Sequence, residues 1–154
     1  MKNNGMTLKS IGSQPVGRQQ MIMLVDDDEA QLELLSGILK TNGYDVLPFD
    51  NALSALLAVR EGNGIDLVIT DYRMPGMDGL EFVKALRCLL PAVPAIMLTA
   101  HGNIDSFFKA FSLGVFEYIN KPLPERELLK IVNVALGTGM PEEVPANRGG
   151  DLCS

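Results

Sequence analysis

The sequence predicts an α/β protein in which helices cover both faces of a parallel sheet. Five short apolar runs alternate with five segments of helical periodicity, which is typical of strands joined by crossover helices. The runs MIMLV at 21–25 and LVI at 67–69 lack the polar and apolar alternation of a half-exposed strand, as expected where both faces of a sheet are buried. The length of 154 residues suits one domain with its own core.

The first two predicted strands and helices are separated by clear helix start and stop signals. Asp28, with Gln31 three residues later, matches the capping box of a first helix. Apolar residues then recur at spacings of three and four until an Asn-Gly pair ends the helix near Gly43. The predicted elements are strand 21–25, a first helix that Asp28 caps and that ends near residues 42–43, strand 44–49 and helix 51–60.

Three further strand and helix pairs follow. Asp78 can cap the third helix, and Pro91 and Pro94 separate that helix from the fourth strand. Gly114 and Gly137 are the predicted ends of the fourth and fifth helices. The predicted elements are strand 65–70, a third helix between the cap Asp78 and Pro91, strand 95–99, helix 103–113, strand 115–120 and helix 124–136.

The segments outside the predicted domain of residues 21–136 are polar. Residues 1–20 are predicted to be a flexible tail, and residues 137–154 a flexible tail or a linker. The N-terminal segment has no apolar core typical of a signal peptide or a membrane anchor. A cytoplasmic protein is expected because the two cysteines, Cys88 and Cys153, lie far apart without metal-ligand spacing. The net charge of −6 argues against direct nucleic-acid binding, and no apolar run is long enough for a membrane span.

Polar residues with complementary chemistry follow four of the predicted strands. The carboxyl ends of these strands meet at one edge of a doubly wound sheet, near the point where strand order reverses. The residues are Asp26, Asp27, Asp71, Thr99 and Lys121. Three carboxylates without a cation would repel one another, so the pattern predicts a bound divalent metal. Oxygen ligands favour Mg²⁺, because zinc or copper would require His or Cys.

This group of residues has the parts needed to bind a phosphoryl group. Mg²⁺ and Lys121 would neutralise its oxygens, while Thr99 would donate a hydrogen bond. Asp71 would be the nucleophile and form an acyl phosphate. Taken alone, Asp71 is equally well explained as a strand-end residue that caps its turn. Asp28 is interpreted as a helix cap rather than as a metal ligand.

Four segments of the sequence resemble the response-regulator receiver domain of bacterial two-component signalling. They read LVDDDE at 24–29, TDYRMPGMDG at 70–79, TA at 99–100 and YINKP at 118–122. Each segment lies at the end of a predicted strand, and the resemblance covers about residues 21–136.

The resemblance implies a flavodoxin-like sheet with strand order 2-1-3-4-5 and a cis peptide bond between Lys121 and Pro122. It implies phosphorylation of Asp71 by a sensor histidine kinase or a histidine phosphotransfer protein. The domain would catalyse only its own phosphorylation and dephosphorylation. The implied Mg²⁺ ligands are Asp26, Asp27, Asp71 and the backbone carbonyl of Arg73.

The same resemblance implies a conformational switch. Thr99 would move toward the phosphoryl group, and Tyr118 would turn inward behind it. This change would reshape the face made by the fourth helix, fifth strand and fifth helix, which would bind a downstream protein or a second copy of the chain. Arg73 and His101 occupy positions near the hydrolytic water and are predicted to tune the lifetime of the phosphoryl group.

Three phenylalanines, Phe107, Phe108 and Phe111, share one sector of the fourth predicted helix. Such spacing usually indicates a core face. Three large rings exceed what one sheet face can cover, so Phe107 or Phe111 is predicted to lie partly exposed on a partner or dimer surface.

Three alternatives share this sequence pattern. A haloacid-dehalogenase-type phosphotransferase also uses an Asp nucleophile, with the spacing of Asp26 and Asp28, but it would require Thr at position 30, where this chain has Ala. An FMN carrier has the same sheet order, but three aspartates after the first strand would repel its phosphate. A receiver that is not phosphorylated is disfavoured because every expected site residue is present.

Overall fold

The computed structural model describes residues 18–137, so most of the two predicted tails, at 1–17 and 138–154, lies outside the described residues. Five strands alternate with five helices, as predicted. In chain order they are β1 (Met21–Val25), α1 (Glu29–Thr41), β2 (Asp45–Phe49), α2 (Ala52–Arg60), β3 (Leu67–Thr70), α3 (Gly79–Leu89), β4 (Ala95–Thr99), α4 (Ile104–Ser112), β5 (Glu117–Asn120) and α5 (Glu125–Ala135).

The five strands form one parallel sheet in the order β2-β1-β3-β4-β5. The predicted fold class and strand order are therefore confirmed. In this register Val25 lies opposite both Phe49 and Thr70, and Thr99 lies opposite Asn120. The carboxyl ends of β1 and β3 are consequently level with each other at the centre of the sheet.

Two apolar clusters, one on each face of the sheet, form the core. In β1, Met23 and Val25 belong to the cluster that also contains Phe82 of α3, whereas Ile22 and Leu24 belong to the cluster beneath α1 and α5. Both faces of the strand are therefore buried, which explains why its sequence does not alternate. Each fully buried Leu, Ile, Met or Phe side chain stabilises the fold by about 1.5–3 kcal/mol.

Three residues predicted to begin helices are N-cap residues in the structure, one position before the helix. They are Asn51, Asn103 and Pro124. The Asn51 side chain accepts a hydrogen bond from the Ser54 N–H at 2.8 Å, and the Asn103 side chain accepts one from the Ser106 N–H at 2.8 Å. Pro124 is the N-cap of α5 without a side-chain bond. Asn caps favour extended backbone because their side chains then satisfy the first helical N–H groups.

Strands β2, β3 and β5 begin one or two residues later than predicted. For β5 the cause is local, because the Val115 N–H donates to the Ala110 carbonyl at 3.1 Å and so completes the end of α4. Val115 is apolar and buried, as strand residues often are, although it lies before β5.

Residues 18–20, predicted to belong to the flexible tail, contact the sheet in the structure. The Arg18 guanidinium pairs with the Asp66 carboxylate at 3.0 Å, and the Gln20 carbonyl accepts a hydrogen bond from the Asp45 N–H at 2.9 Å. The folded region therefore includes these residues. Within residues 18–137, no helix is both long and apolar enough to cross a membrane.

Candidate functional site

Three carboxylates meet at the carboxyl ends of β1 and β3. One oxygen each from Asp26, Asp27 and Asp71 lies within 4.8 Å of the others. The strand pairing brings them together, because the Asp71 N–H donates to the Val25 carbonyl at 3.0 Å. A set of three carboxylate oxygens is suited to a hard cation such as Mg²⁺.

The three carboxylates differ in their exposure to solvent. Asp26 is 4% exposed and Asp71 9% exposed, whereas Asp27 is open to solvent. Burial raises the pKa of Asp26, because its ionised form is poorly solvated, and the nearby Asp71 charge acts in the same direction. A hydrogen bond from the Asp28 N–H and the Lys121 ammonium oppose this rise in pKa. A cation at this position would therefore relieve an unfavourable charge.

Lys121 follows β5 and points to the same cluster. Its Nζ lies 3.1 Å from Asp26 Oδ2 and 3.7 Å from Asp71 Oδ2. The Lys121 N–H donates to the Thr99 carbonyl at 2.8 Å. This bond holds the first residue after β5 beside the end of β4. The bond between Lys121 and Pro122 is cis, as the family resemblance implied.

An open cleft of about 610 Å³ lies above this cluster. Its lining residues are Asp27, Asp28, Gln31, Asp71, Arg73, Met74, Pro75, Ala100, His101 and Lys121. Asp28 caps α1, as predicted, by accepting hydrogen bonds from the Ala30 and Gln31 N–H groups at 3.0 and 3.3 Å. The cleft is large enough for a tetrahedral anion beside the acidic cluster.

Arg73 and His101 both line the cleft, and they follow β3 and β4 respectively. The Arg73 guanidinium lies over the Tyr72 ring, 5.5 Å from its centroid, which is a cation–π distance. Both side chains are exposed. The structure therefore places both residues at the cleft, where they can affect access of water.

Thr99 is the last residue of β4 and is fully buried. Its Oγ accepts a hydrogen bond from the His101 N–H at 3.0 Å. A hydroxyl has one hydrogen to donate and two lone pairs, so Thr99 can accept this bond and donate another.

Tyr118, on β5, points inward and is only 9% exposed. Its hydroxyl forms a hydrogen bond with the Ser106 hydroxyl in α4, and its ring meets Phe107 edge-on at 5.5 Å. Ser106 was missed by sequence reasoning. Its position three residues after Asn103 matches a helix-start pattern, but nothing in the sequence indicates the contact with Tyr118.

The three phenylalanines of α4 differ in exposure. Phe111 is 50% exposed, as predicted, whereas Phe107 is half-buried against Tyr118. Phe108 is 64% exposed and Ile104 72% exposed, and sequence reasoning did not select either one. An apolar stripe of Ile104, Phe108 and Phe111 therefore runs along the outer side of α4.

Gly79 is a second residue that sequence reasoning missed. It begins α3 directly against the end of β3, where its N–H donates to the Tyr72 carbonyl at 2.7 Å. A Cβ at Gly79 would overlap the Asp71 carbonyl oxygen and lie 2.9 Å from the Tyr72 Cα. The missing side chain thus allows α3 to pack against the backbone that carries Asp71.

Gly79→Ala is expected to lower the free energy of unfolding by about 1–3 kcal/mol, because rigid backbone atoms must move to admit the methyl group. The matched control is Gly37→Ala in α1, where an added Cβ meets nothing within 4 Å. That change is expected to raise stability by about 0.5–1 kcal/mol through helix propensity. Urea unfolding of both variants measures the difference, and equal shifts would contradict the packing role of Gly79.

Together, the fold and the cleft define a doubly wound α/β protein with an acidic, lysine-containing pocket at the point where strand order reverses. Residues 22–133 match the family model of the response regulator receiver domain. The chain therefore belongs to the response regulator receiver family and is a signalling domain. This membership decides against the dehalogenase and FMN-carrier alternatives.

Similar proteins include long regulators and separate receiver domains. The chain is 36% identical over 129 residues to the transcriptional regulatory protein ZraR of Klebsiella oxytoca, covering 84% of this chain and 29% of that protein. It is 32% identical over 127 residues to the DNA-binding transcriptional regulator NtrC of Salmonella typhimurium, covering 82% and 27%. The chain thus spans less than a third of the length of these two regulators.

Solved receiver structures match the fold of this chain over nearly their own full length. A receiver domain protein from Clostridium thermocellum has a TM-score of 0.73 and 31% identity, covering 77% of this chain and 94% of that one. The chemotaxis protein CheY4 of Vibrio cholerae has a TM-score of 0.70 and 28% identity, covering 75% and 98%.

Proposed function

We propose that the domain is a phosphoacceptor switch in which Asp71 receives a phosphoryl group from a sensor histidine kinase or a histidine phosphotransfer protein. The supporting observation is the position of Lys121, whose Nζ lies 3.1 Å from Asp26 and 3.7 Å from Asp71. A cation beside the acceptor carboxylate stabilises the negative charge that an incoming phosphoryl group adds. The domain catalyses only its own phosphorylation and dephosphorylation.

The donor atoms of the site fit Mg²⁺, which the carboxylates of Asp26, Asp27 and Asp71 and the Arg73 carbonyl would hold. When bound, Mg²⁺ neutralises negative charge on the phosphoryl oxygens. The Tyr72 N–H donates to Asp71 Oδ1 at 2.6 Å and so orients the carboxylate, leaving Oδ2 facing Lys121. A carboxylate oxygen of Asp71 bonds to phosphorus as the phosphorus–nitrogen bond to the donor histidine breaks.

The phosphoryl group changes a surface through Thr99 and Tyr118. Thr99 donates its hydroxyl hydrogen to a phosphoryl oxygen and moves toward it. The loop after β4 moves with Thr99, because the His101 N–H is hydrogen-bonded to Thr99 Oγ. Tyr118 then favours its inward position beneath α4. The reshaped face of α4, β5 and α5 binds a downstream protein or a second copy of the chain. The exposed stripe of Ile104, Phe108 and Phe111 supplies apolar contact area on that face.

The domain acts in the cytoplasm and does not itself bind nucleic acid, in keeping with its net charge of −6. ZraR and NtrC are named as transcriptional regulators and are much longer than this chain. Output therefore passes through a protein surface, either to a separate partner or to another part of a longer protein.

The direct test is incubation of the purified protein with Mg²⁺ and acetyl phosphate, followed by intact-mass spectrometry. We expect a mass gain of one phosphoryl group that a metal chelator prevents and that peptide mapping places at Asp71. A chain that folds and binds Mg²⁺ but gains no mass from acetyl phosphate or from a phosphorylated histidine phosphotransfer domain would refute the proposal.

Arg73→Ala and His101→Ala are expected to shorten the phosphoryl lifetime several-fold without preventing phosphorylation. Both side chains line the cleft, so their truncation admits water to the phosphoryl group. Decay of the labelled protein after removal of acetyl phosphate measures the effect. Arg60→Ala, at the end of α2, is the control for loss of an exposed arginine. Decay rates equal to the parent in both cleft variants would exclude this role, and slower decay would mean that the side chains orient the water.

A further inference from the structure

We propose that Gly102 and Ser106 form a latch that holds Tyr118 inward by contacts that do not involve Asp71. Ser106 is the positioning residue, and Gly102 supplies the space that the Tyr118 hydroxyl requires. The latch biases the switch toward its inward form before phosphorylation. This regulatory consequence rests on the proposed function, whereas the latch itself is a property of the folded chain.

The Ser106 hydroxyl is held rigidly at the start of α4. Its side chain is almost completely buried, with 2% exposed. The Asn103 N–H donates to Ser106 Oγ at 3.1 Å, and the Ser106 N–H donates to Asn103 Oδ1 at 2.8 Å, so each residue caps the other. The Ser106 hydroxyl that contacts Tyr118 is therefore held in place by the hydrogen bonds at the start of α4.

Gly102 permits the inward position of Tyr118. A Cβ at Gly102 would overlap the Tyr118 hydroxyl oxygen and lie 2.9 Å from its ring carbon Cε1. The same Cβ would lie 2.8 Å from Asn120 Oδ1. A side chain at position 102 therefore requires the Tyr118 ring and the Asn120 side chain to shift from these positions.

The β4–α4 loop, residues 100–103, joins the latch to the phosphorylation site. At the start of this loop the His101 N–H donates to Thr99 Oγ at 3.0 Å. At its end Asn103 caps α4 and holds Ser106. Gly102 lies between these two anchors against Tyr118. Movement of Thr99 is thus transmitted to Tyr118 through a short segment that is fastened at both ends.

Removing the Ser106 hydroxyl would leave the buried Tyr118 hydroxyl without this partner. A buried hydroxyl that loses its hydrogen bond disfavours the buried state by about tenfold in the equilibrium. Ser106→Ala is therefore expected to lower the ratio of inward to outward Tyr118 by about tenfold. Gly102→Ala should have at least as large an effect, since it acts by steric exclusion instead of by loss of a hydrogen bond.

The test uses NMR of protein that contains ring-¹³C tyrosine and has not been phosphorylated. The chain has three tyrosines, so Tyr118→Phe assigns the Tyr118 signal by its disappearance. A soluble paramagnetic agent then reports the solvent exposure of that ring. We expect Tyr118 to be protected in the parent and exposed in both Ser106→Ala and Gly102→Ala. Ser112→Ala, which removes another α4 hydroxyl from an exposed position, should leave Tyr118 protected.

A double-mutant cycle separates the latch from a general loss of packing. If the two hydroxyls interact, Ser106→Ala destabilises the parent more than it destabilises Tyr118→Phe, as measured by urea unfolding. Equal effects in both backgrounds, or a Tyr118 ring that stays protected in both latch variants, would overturn the proposal.

Phosphorylation supplies the second readout. Ser106→Ala should slow labelling by acetyl phosphate several-fold, because less of the protein is in the inward form that phosphorylation favours. Unchanged labelling with an exposed Tyr118 would overturn the regulatory role while leaving the latch intact. If the parent itself is not labelled, the proposed function fails, and the Tyr118 exposure measurement still decides whether the latch exists.

Discussion

Asp71→Asn is expected to abolish the gain of a phosphoryl group from acetyl phosphate or from a phosphorylated histidine donor. The amide oxygen of Asn is a far weaker nucleophile than a carboxylate, and its NH₂ group would face the Lys121 ammonium at the position of Asp71 Oδ2. The change preserves side-chain size, so the fold should persist. Intact-mass spectrometry measures the labelling, and the loss should be complete within detection.

Asp78→Asn is the matched control for this experiment. Asp78 lies in the same β3–α3 region, but its side chain caps α3 by accepting a hydrogen bond from the Glu81 N–H at 2.9 Å. Asn is an equally good cap residue, so both folding and labelling should survive. Persistent labelling of Asp71→Asn at another carboxylate would contradict the assignment of Asp71 as the acceptor. Loss of labelling in Asp78→Asn would show that the loop, rather than the acceptor, had been damaged.

The convergence of Asp26, Asp71 and Lys121 could be predicted from sequence because it depends on topology. Each residue directly follows a strand, and parallel strands place such residues at one edge of the sheet. The cap at Asp28 could be predicted because it involves only neighbouring residues. These features need no knowledge of how individual side chains pack.

Contacts between distant side chains could not be predicted in the same way. Helical spacing places three phenylalanines on one sector of α4 but does not show which ring touches the sheet, so the exposure of Phe108 was missed. The Ser106 and Tyr118 hydroxyls are 12 residues apart and meet only because α4 packs over β5. The overlap that a side chain at Gly79 would cause depends on the entry angle of α3. Each of these features requires the packed coordinates.

The ionised carboxylate of Asp26 is buried and therefore destabilises the metal-free fold, which the sequence does not reveal. Asp26→Asn should raise the stability of the metal-free protein by about 1 kcal/mol, because it removes a poorly solvated charge beside Asp71. The same change should remove the stabilisation by Mg²⁺, which for a parent protein at a hundred times Kd is about 2.7 kcal/mol. Thermal unfolding with chelator and with Mg²⁺ measures both effects.

Asp27→Asn separates the two effects, since Asp27 belongs to the same cluster but is exposed. It should weaken stabilisation by Mg²⁺ without raising the stability of the metal-free protein.

The pH dependence of stability provides a further check on the role of Asp26. Because burial raises the folded-state pKa of Asp26 above its ordinary value of 3.8, the native state binds this proton more tightly than the unfolded state. The metal-free parent should therefore lose stability as pH rises from that value through the raised pKa. The advantage of Asp26→Asn over the parent should be absent below this window and grow across it, and an advantage that is constant with pH would mean that the Asp26 charge is not its cause.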